Sequence, residues 1–271
     1  MSYAQKARER RQFLIGSALI AFVVVVATSI AWAVISVRSS HVSVDPKTGC
    51  PLDGPRSITA VVVDRTDPIS ETTALDMRQV LDREMSDVPR YGAIYLFGID
   101  ERVTTSPRPL FMRCNPGRSE EVNSLKESKR LVDRSFRKAF REPLDEALDA
   151  LQASGASERS PIVETLQSVG VRAFGGSDGA DVPKRLVVAS DFLQNSDRLS
   201  FYGAHPASVL SSDAAEDLAA PLEDVDVRML FIRRDGANAA HTSALRDAWT
   251  RYFRKSGAAE IVATKLTGTD Q

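Results

Sequence analysis

Histidine is scarce in this 271-residue chain: there are three, His41, His205 and His241, and they are scattered. No G-x-S-x-G occurs either, so a serine hydrolase has neither its base in reach nor its nucleophile elbow. The glycine-rich segment 175–179 (GGSDG) lacks the lysine and the spacing of a phosphate-binding loop and is a surface loop. Charge of either sign in excess is missing too. The net charge is −1 at pH 7, which gives no electrostatic case for nucleic acid. Cysteine is limited to Cys50 and Cys114, and no His or Cys cluster near either one supports a metal pair.

What the chain does have is one long apolar run. Phe13 to Val37 carries no charged residue. As a helix it would extend about 37 Å, enough to cross a hydrocarbon core of about 30 Å with some tilt. The rival reading, a cleaved signal peptide, has a shorter apolar region and a small-residue cleavage site, whereas this run ends with Trp32 and Val34-Ile35. Lys6, Arg8, Arg10 and Arg11 precede the run and Arg38 alone follows it closely. The positive-inside rule then puts residues 1–12 in the cytoplasm, the span 13–37 in the cytoplasmic membrane and the rest in the periplasm or outside the cell. The tail carries +3, four basic residues less Glu9, so with −1 for the whole chain the exported part carries about −4. In an oxidising compartment Cys50 and Cys114 form a disulfide more often than they remain two unrelated thiols.

Residues 38–56, with Asp45-Pro46, Gly49, Pro51 and Gly54-Pro55, read as a linker, and 57–264 as a single domain with a short tail at 265–271. Thr59 to Val63 are small or β-branched and suit a strand buried on both faces, within about 57–64. A helix is expected over about 71–86 and strands over 93–98 and 109–114, the second an edge strand pairing antiparallel because few residues separate the two. Helical periodicity runs from about 126 to 152, and Pro143 should kink or divide it. Ser160-Pro161 reads as a cap and first residue of a helix over about 160–172. Strands follow at 185–191, 226–232 and 260–263, with a helix from 239 to 255. Phe192 to Pro221 reads as polar and irregular, with a short helix near 206–219, and is the candidate segment for partner specificity. Alternation of strands and helices implies an α/β sheet, mostly parallel with one antiparallel edge strand, covered by helices on both faces.

Two apolar strands end in a hydroxyl and a carboxylate: Asp64 and Thr66 after the first, Ser190-Asp191 after the fourth. Ser160 opens SPIVETL between them. In that order these residues resemble the von Willebrand factor A family, Rossmann-like domains that bind a divalent cation through D-x-S/T-x-S after the first strand, a Thr or Ser opening a middle helix, and an Asp after the fourth strand. The resemblance covers about 57–264 and implies a metal set of Asp64, Thr66, Ser160 and Asp191. The fifth place of the first motif is Pro68 in place of Ser, so Asp67 or Ser70 would have to compensate. Hard oxygen ligands of this kind suit Mg²⁺ or Mn²⁺. The implied activity is binding of another protein through an Asp or Glu side chain, with no bond broken.

Two rival functions stand beside this one. VVVDRTD resembles the start of the haloacid-dehalogenase phosphatases, with Asp64 as nucleophile, but that family has D-x-D where Thr66 stands here, and Asp191-Phe192 leaves its acidic pair incomplete. The other is an ion-independent scaffold, which Pro68 favours, with Asp64 and Asp191 capping the helices that follow them and the hydroxyls satisfying loop amides.

Overall fold

The computed structural model describes residues 16–32, 42–66, 69–101, 107–121, 128–152, 157–176, 181–203, 205–232 and 239–266. The chain divides into two compact units, Met1–Ser43 and Val44–Gln271. In the first, residues 16–32 form helix α1 with exposed side chains. Among the described residues no helix is long and apolar enough to cross a membrane. Of the run 13–37, residues 13–15 and 33–37 lie outside the described residues.

The second unit is built on six strands: β1 (Ile58–Asp64), β2 (Ala93–Ile99), β3 (Phe111–Cys114), β4 (Lys184–Ser190), β5 (Val225–Ile232) and β6 (Ile261–Leu266). Their order in the sheet is β3-β2-β1-β4-β5-β6. Only the β2–β3 pair is antiparallel. Few residues link those two strands, and a short link permits only an antiparallel return. Connections leave β1 toward β2 on one side and reach β4 on the other. The sheet therefore has a topological switch between β1 and β4, and open α/β sheets bind ligands outside the strand ends at such a point.

Every residue of β1 is buried because helices cover both faces of the sheet. Ala60 and Val62 face a cluster that includes Val163 and Leu166 of α5 (Ile162–Phe174) and Trp249 and Phe253 of α8 (Ala239–Lys255). Val61 and Val63 face Met77, Leu81 and Met85 of α2 (Glu71–Ser86) and Leu144 and Leu148 of α4 (Glu142–Gln152). Burial on the first face holds the Tyr252 phenol well above its ordinary range. All the buried clusters lie between Cys50 and Leu266, so the unit Val44–Gln271 carries a complete core of its own.

Residues 44–51 fold onto the sheet edge. Val44 bridges Pro51, the Cys114 amide donates to the Thr48 carbonyl at 2.9 Å, and Cys50 and Cys114 form a disulfide with their Cα atoms 4.8 Å apart.

The long helical stretch is divided, as Pro143 predicts, into α3 (Lys129–Ser135), a π-helical segment Phe136–Arg141, and α4. Proline has no N–H, so residue 143 cannot donate to the carbonyl four residues earlier. That carbonyl, of Ala139, instead accepts a bond of 2.9 Å from Arg113 Nη1 on β3. Arg113→Ala is therefore expected to lower stability by about 1 kcal/mol. It should also speed amide exchange mainly within 136–141; unchanged exchange there would mean the bond does not support the segment.

Two expectations need correction. Ser160 does not cap α5: the helix starts after Pro161, with no side-chain bond from that cap residue. The amide of Val163 donates instead to Gln194 Oε1 at 2.9 Å, a residue remote in sequence. Phe192 to Pro221, expected to be polar and irregular with a short helix, packs on the core. Phe192, Leu199, Phe201, Leu210 and Leu218 are buried in the same cluster as Trp249, and its two short helices are α6 (Pro206–Leu210) and α7 (Asp213–Glu216). His205 caps α6, its Nδ1 accepting from the Ala207 amide at 3.3 Å.

Candidate functional site at the strand switch

Asp64 ends β1 at the switch and is 9% exposed. Its Oδ1 accepts the Thr66 amide at 3.0 Å and the Thr66 hydroxyl at 2.6 Å. Its Oδ2 accepts the Ser160 hydroxyl at 3.1 Å and the Ser190 hydroxyl at 2.7 Å. A buried carboxylate demands such partners, and four donors occupy about the four lone-pair directions it offers. Thr66, Ser160 and Ser190 are all buried. One carboxylate thus ties together the ends of β1 and β4 and the approach to α5.

Of the residues expected at a metal site, Asp64, Thr66 and Ser160 come together. The bond from β4 to Asp64 comes from Ser190, while Asp191, half-buried, closes a local turn by accepting the Leu193 amide at 2.9 Å. Ser70 serves as the cap of α2, its hydroxyl accepting the Thr73 amide at 3.2 Å. Asp67 and Pro68 lie outside the described residues. Among the described residues no group of three or more His, Cys, Asp or Glu forms a metal cage. The donors that do converge, one carboxylate and three hydroxyls, are hard oxygens and fit Mg²⁺ or Mn²⁺ in kind.

Two hollows are lined in part by residues next in the chain to this cluster. One of about 240 Å³ is lined by Arg65, Gly98, Asp100, Arg108, Leu110 and Thr165 among others. The second, of about 320 Å³, includes Arg159, Pro161, Glu164, Ser196, Asp197 and Arg198 in its lining.

Glu164 is the residue that sequence reading missed. It is 3% exposed, and its carboxylate accepts from Gln194 Nε2 at 3.1 Å and from the Ser196 hydroxyl. Gln194 also donates to the Leu199 carbonyl at 3.1 Å, so one glutamine joins the α5 start to the segment after β4. A glutamate within an apolar helical run (IVETL) was the available signal, since an unpaired buried carboxylate is very costly.

Phe192, which follows Asp191, has φ of 61°. That left-handed backbone is strained for a bulky residue and is held by its surroundings. Its ring lies 4.3 Å from Phe231 and 5.5 Å from Trp249, centroid to centroid, and its carbonyl accepts the Trp249 indole N–H at 2.9 Å.

No family model and no curated protein matches the chain. Among solved structures it is similar to an aerotolerance-related membrane protein from Bacteroides fragilis NCTC 9343, carrying multiple mutations to serine, at 10% identity and a TM-score of 0.34. It is also similar to the conserved hypothetical protein BatB from Bacteroides thetaiotaomicron, at 8% identity and a TM-score of 0.36. In each case 77% of this chain and 90% of the other are covered. At this depth of likeness, function has to be argued from Asp64 and its neighbours.

Proposed function

We propose that Val44–Gln271 is a von Willebrand factor A-like protein-binding module, anchored in the cytoplasmic membrane by the run 13–37 and engaging its partner at the strand switch. One observation carries the reading: hydroxyls from three separate segments converge on the buried Asp64 carboxylate. Asp64, Thr66, Ser160 and Ser190, with Asp191 next in the chain, would hold Mg²⁺ or Mn²⁺. When bound, the cation supplies a Lewis-acidic position for an Asp or Glu carboxylate of the partner. The chain's own residues set the geometry: Asp64 fixes the hydroxyls, and Gln194 and Glu164 fix the start of α5 beside Ser160. Partner choice falls to the exposed residues of the segment after Asp191, such as Asp197, Arg198 and Tyr202. Binding suits Asp64 better than nucleophilic attack on phosphorus, because both its oxygens already accept hydrogen bonds that blunt a nucleophile.

Calorimetric titration of Mg²⁺ and Mn²⁺ into the Val44–Gln271 unit tests this. Saturable binding is expected for the native unit, lost in Asp64→Ala and weakened in Asp191→Ala. At a hundredfold excess over Kd the cation should raise stability by about 2.7 kcal/mol. Absence of heat together with an unmoved melting temperature would remove the cation from the reading. The four bonds already filling Asp64 favour one second reading, an ion-independent scaffold. In that case Asp64→Asn leaves partner binding intact.

A further inference from the structure

The helical stretch from Lys129 to Arg141 differs in charge from the rest of the molecule. It holds Lys129, Arg130, Arg134, Arg137, Lys138 and Arg141 against a single acid, Asp133, a formal +5 in a chain whose net charge is −1. Arg141 is committed to Asp82 and Asp145, each at 2.9 Å. The other five cations are exposed, and none has an acidic partner among the described residues. Arg130, Arg134 and Arg137 recur at four- and three-residue spacing, which places them on one helix face.

Among the described residues, the same stretch has almost no tertiary partner on its first turns. α3 buries none of its residues, and Leu131 is 61% exposed. The later part is pinned, by Phe136 packed on the core cluster, by Phe140 against Phe111 (5.7 Å between centroids) and by the Arg113 bond to Ala139. Arg118 adds a further cation beside it, its guanidinium 5.4 Å from the Phe136 ring centroid. The basic first part of the stretch, with its exposed leucine, buries no side chain in the core. It matches a polyanionic surface that takes cations and a shallow apolar group together.

Its attachment in the fold selects which polyanion. The strand that pins it, β3, is the one bonded through Cys50–Cys114 to residues 44–51, where the chain enters the unit. From Val37 to Val44 the chain can reach at most about 25 Å. Within the unit, the entry point and the basic helix thus share one edge strand, and that edge is where a membrane-anchored chain would be tethered.

We infer that Lys129–Arg141 is a docking surface for the anionic headgroups of the membrane leaflet from which the chain emerges. Arg130, Arg134, Arg137 and Lys138 contact headgroup phosphates and Leu131 dips into the interface. This rests on the reading of 13–37 as a membrane anchor, so the test keeps the two apart.

The Val44–Gln271 unit, which lacks the anchor, is sedimented with vesicles of phosphatidylglycerol or of phosphatidylcholine. Binding is expected to phosphatidylglycerol only, and to vanish near 1 M salt, where the screening length is about 3 Å. The triple substitution Arg130→Gln, Arg134→Gln and Arg137→Gln should weaken it about a hundredfold, with an unchanged melting temperature. The corresponding triple substitution to lysine should retain binding. Equal binding to both lipids, no binding to either, or full binding by the glutamine variant would overturn the inference. Binding to a soluble acidic protein in preference to phosphatidylglycerol would also overturn it, in favour of a protein partner. Resistance of the full chain to alkaline extraction from membranes reports separately on the anchor, so failure of the anchor is visible as such.

Discussion

Trp249→Ala is expected to lower the stability of the Val44–Gln271 unit by about 4–6 kcal/mol, from the cavity and from the orphaned Phe192 carbonyl together. Trp249 is fully buried and touches the rings of Phe192, Phe201, Tyr252 and Phe253. A small domain has only about 5–15 kcal/mol in all, so this one change could leave the variant close to unfolding. The effect should reach the site as well. Trp249 holds the left-handed Phe192, and the Phe192 amide donates at 2.8 Å to the Ser190 hydroxyl that in turn bonds Asp64. Trp249→Phe separates the two contributions. It keeps most of the ring contacts and should lose about 1–3 kcal/mol for the unpaired carbonyl. Urea unfolding followed by circular dichroism measures both. A loss below about 1 kcal/mol for the alanine variant would show that the aromatic cluster rearranges around the hole.

The disulfide comes next in size. Replacing Cys50 and Cys114 together by alanine should lower stability by about 4 kcal/mol, the chain-entropy value for a closed loop with a sequence separation of 64. Both sulfurs are buried, Cys114 at 2% exposure, which adds a small packing loss. The damage should be uneven. Residues 44–51 hold the edge strand through the bond from Cys114 to Thr48 and through the disulfide, and both Arg113 and Phe111 act from that strand on the π-helical segment. Amide exchange in 44–51, 111–114 and 136–141 should therefore rise before that in β1 or β4. Uniform acceleration across the sheet would show the cross-link acting on the unfolded chain alone.

Local signals in the sequence predicted local structure well. The apolar run before Asp64, the helical spacing over 71–86 and the missing donor at Pro143 each dictate their element through contacts within a few residues. Asp64, Thr66 and Ser160 were readable as a group because each sits where a strand ends or a helix begins. What could not be read depends on partners far away in sequence. Gln194 caps α5 across 31 residues, and nothing near Val163 announces it. The segment after Asp191 looked polar because its buried residues follow no single period; Phe192, Leu199, Phe201, Leu210 and Leu218 fill a hollow under α8 instead of one helix face. The helix over 126–152 was read, but the exposure of its basic start was not, for the opposite reason. Periodicity finds inner faces, and α3 has none.

The spacing of the bonds at Asp64 also sets an order of birth. Ser160 and Ser190 lie 96 and 126 residues beyond it, while the two cysteines and β1, β2 and β3 all occur before residue 115. As the polypeptide grows from its N-terminus, half the sheet and its cross-link can be completed while Asp64 has only Thr66 beside it. With no third cysteine in the chain, the oxidation cannot choose a wrong intramolecular partner. The strand switch closes only when β4 arrives on the other edge of β1. A nascent chain is thus cross-linked at its N-terminal edge strand early, while the cluster around Asp64 is completed late.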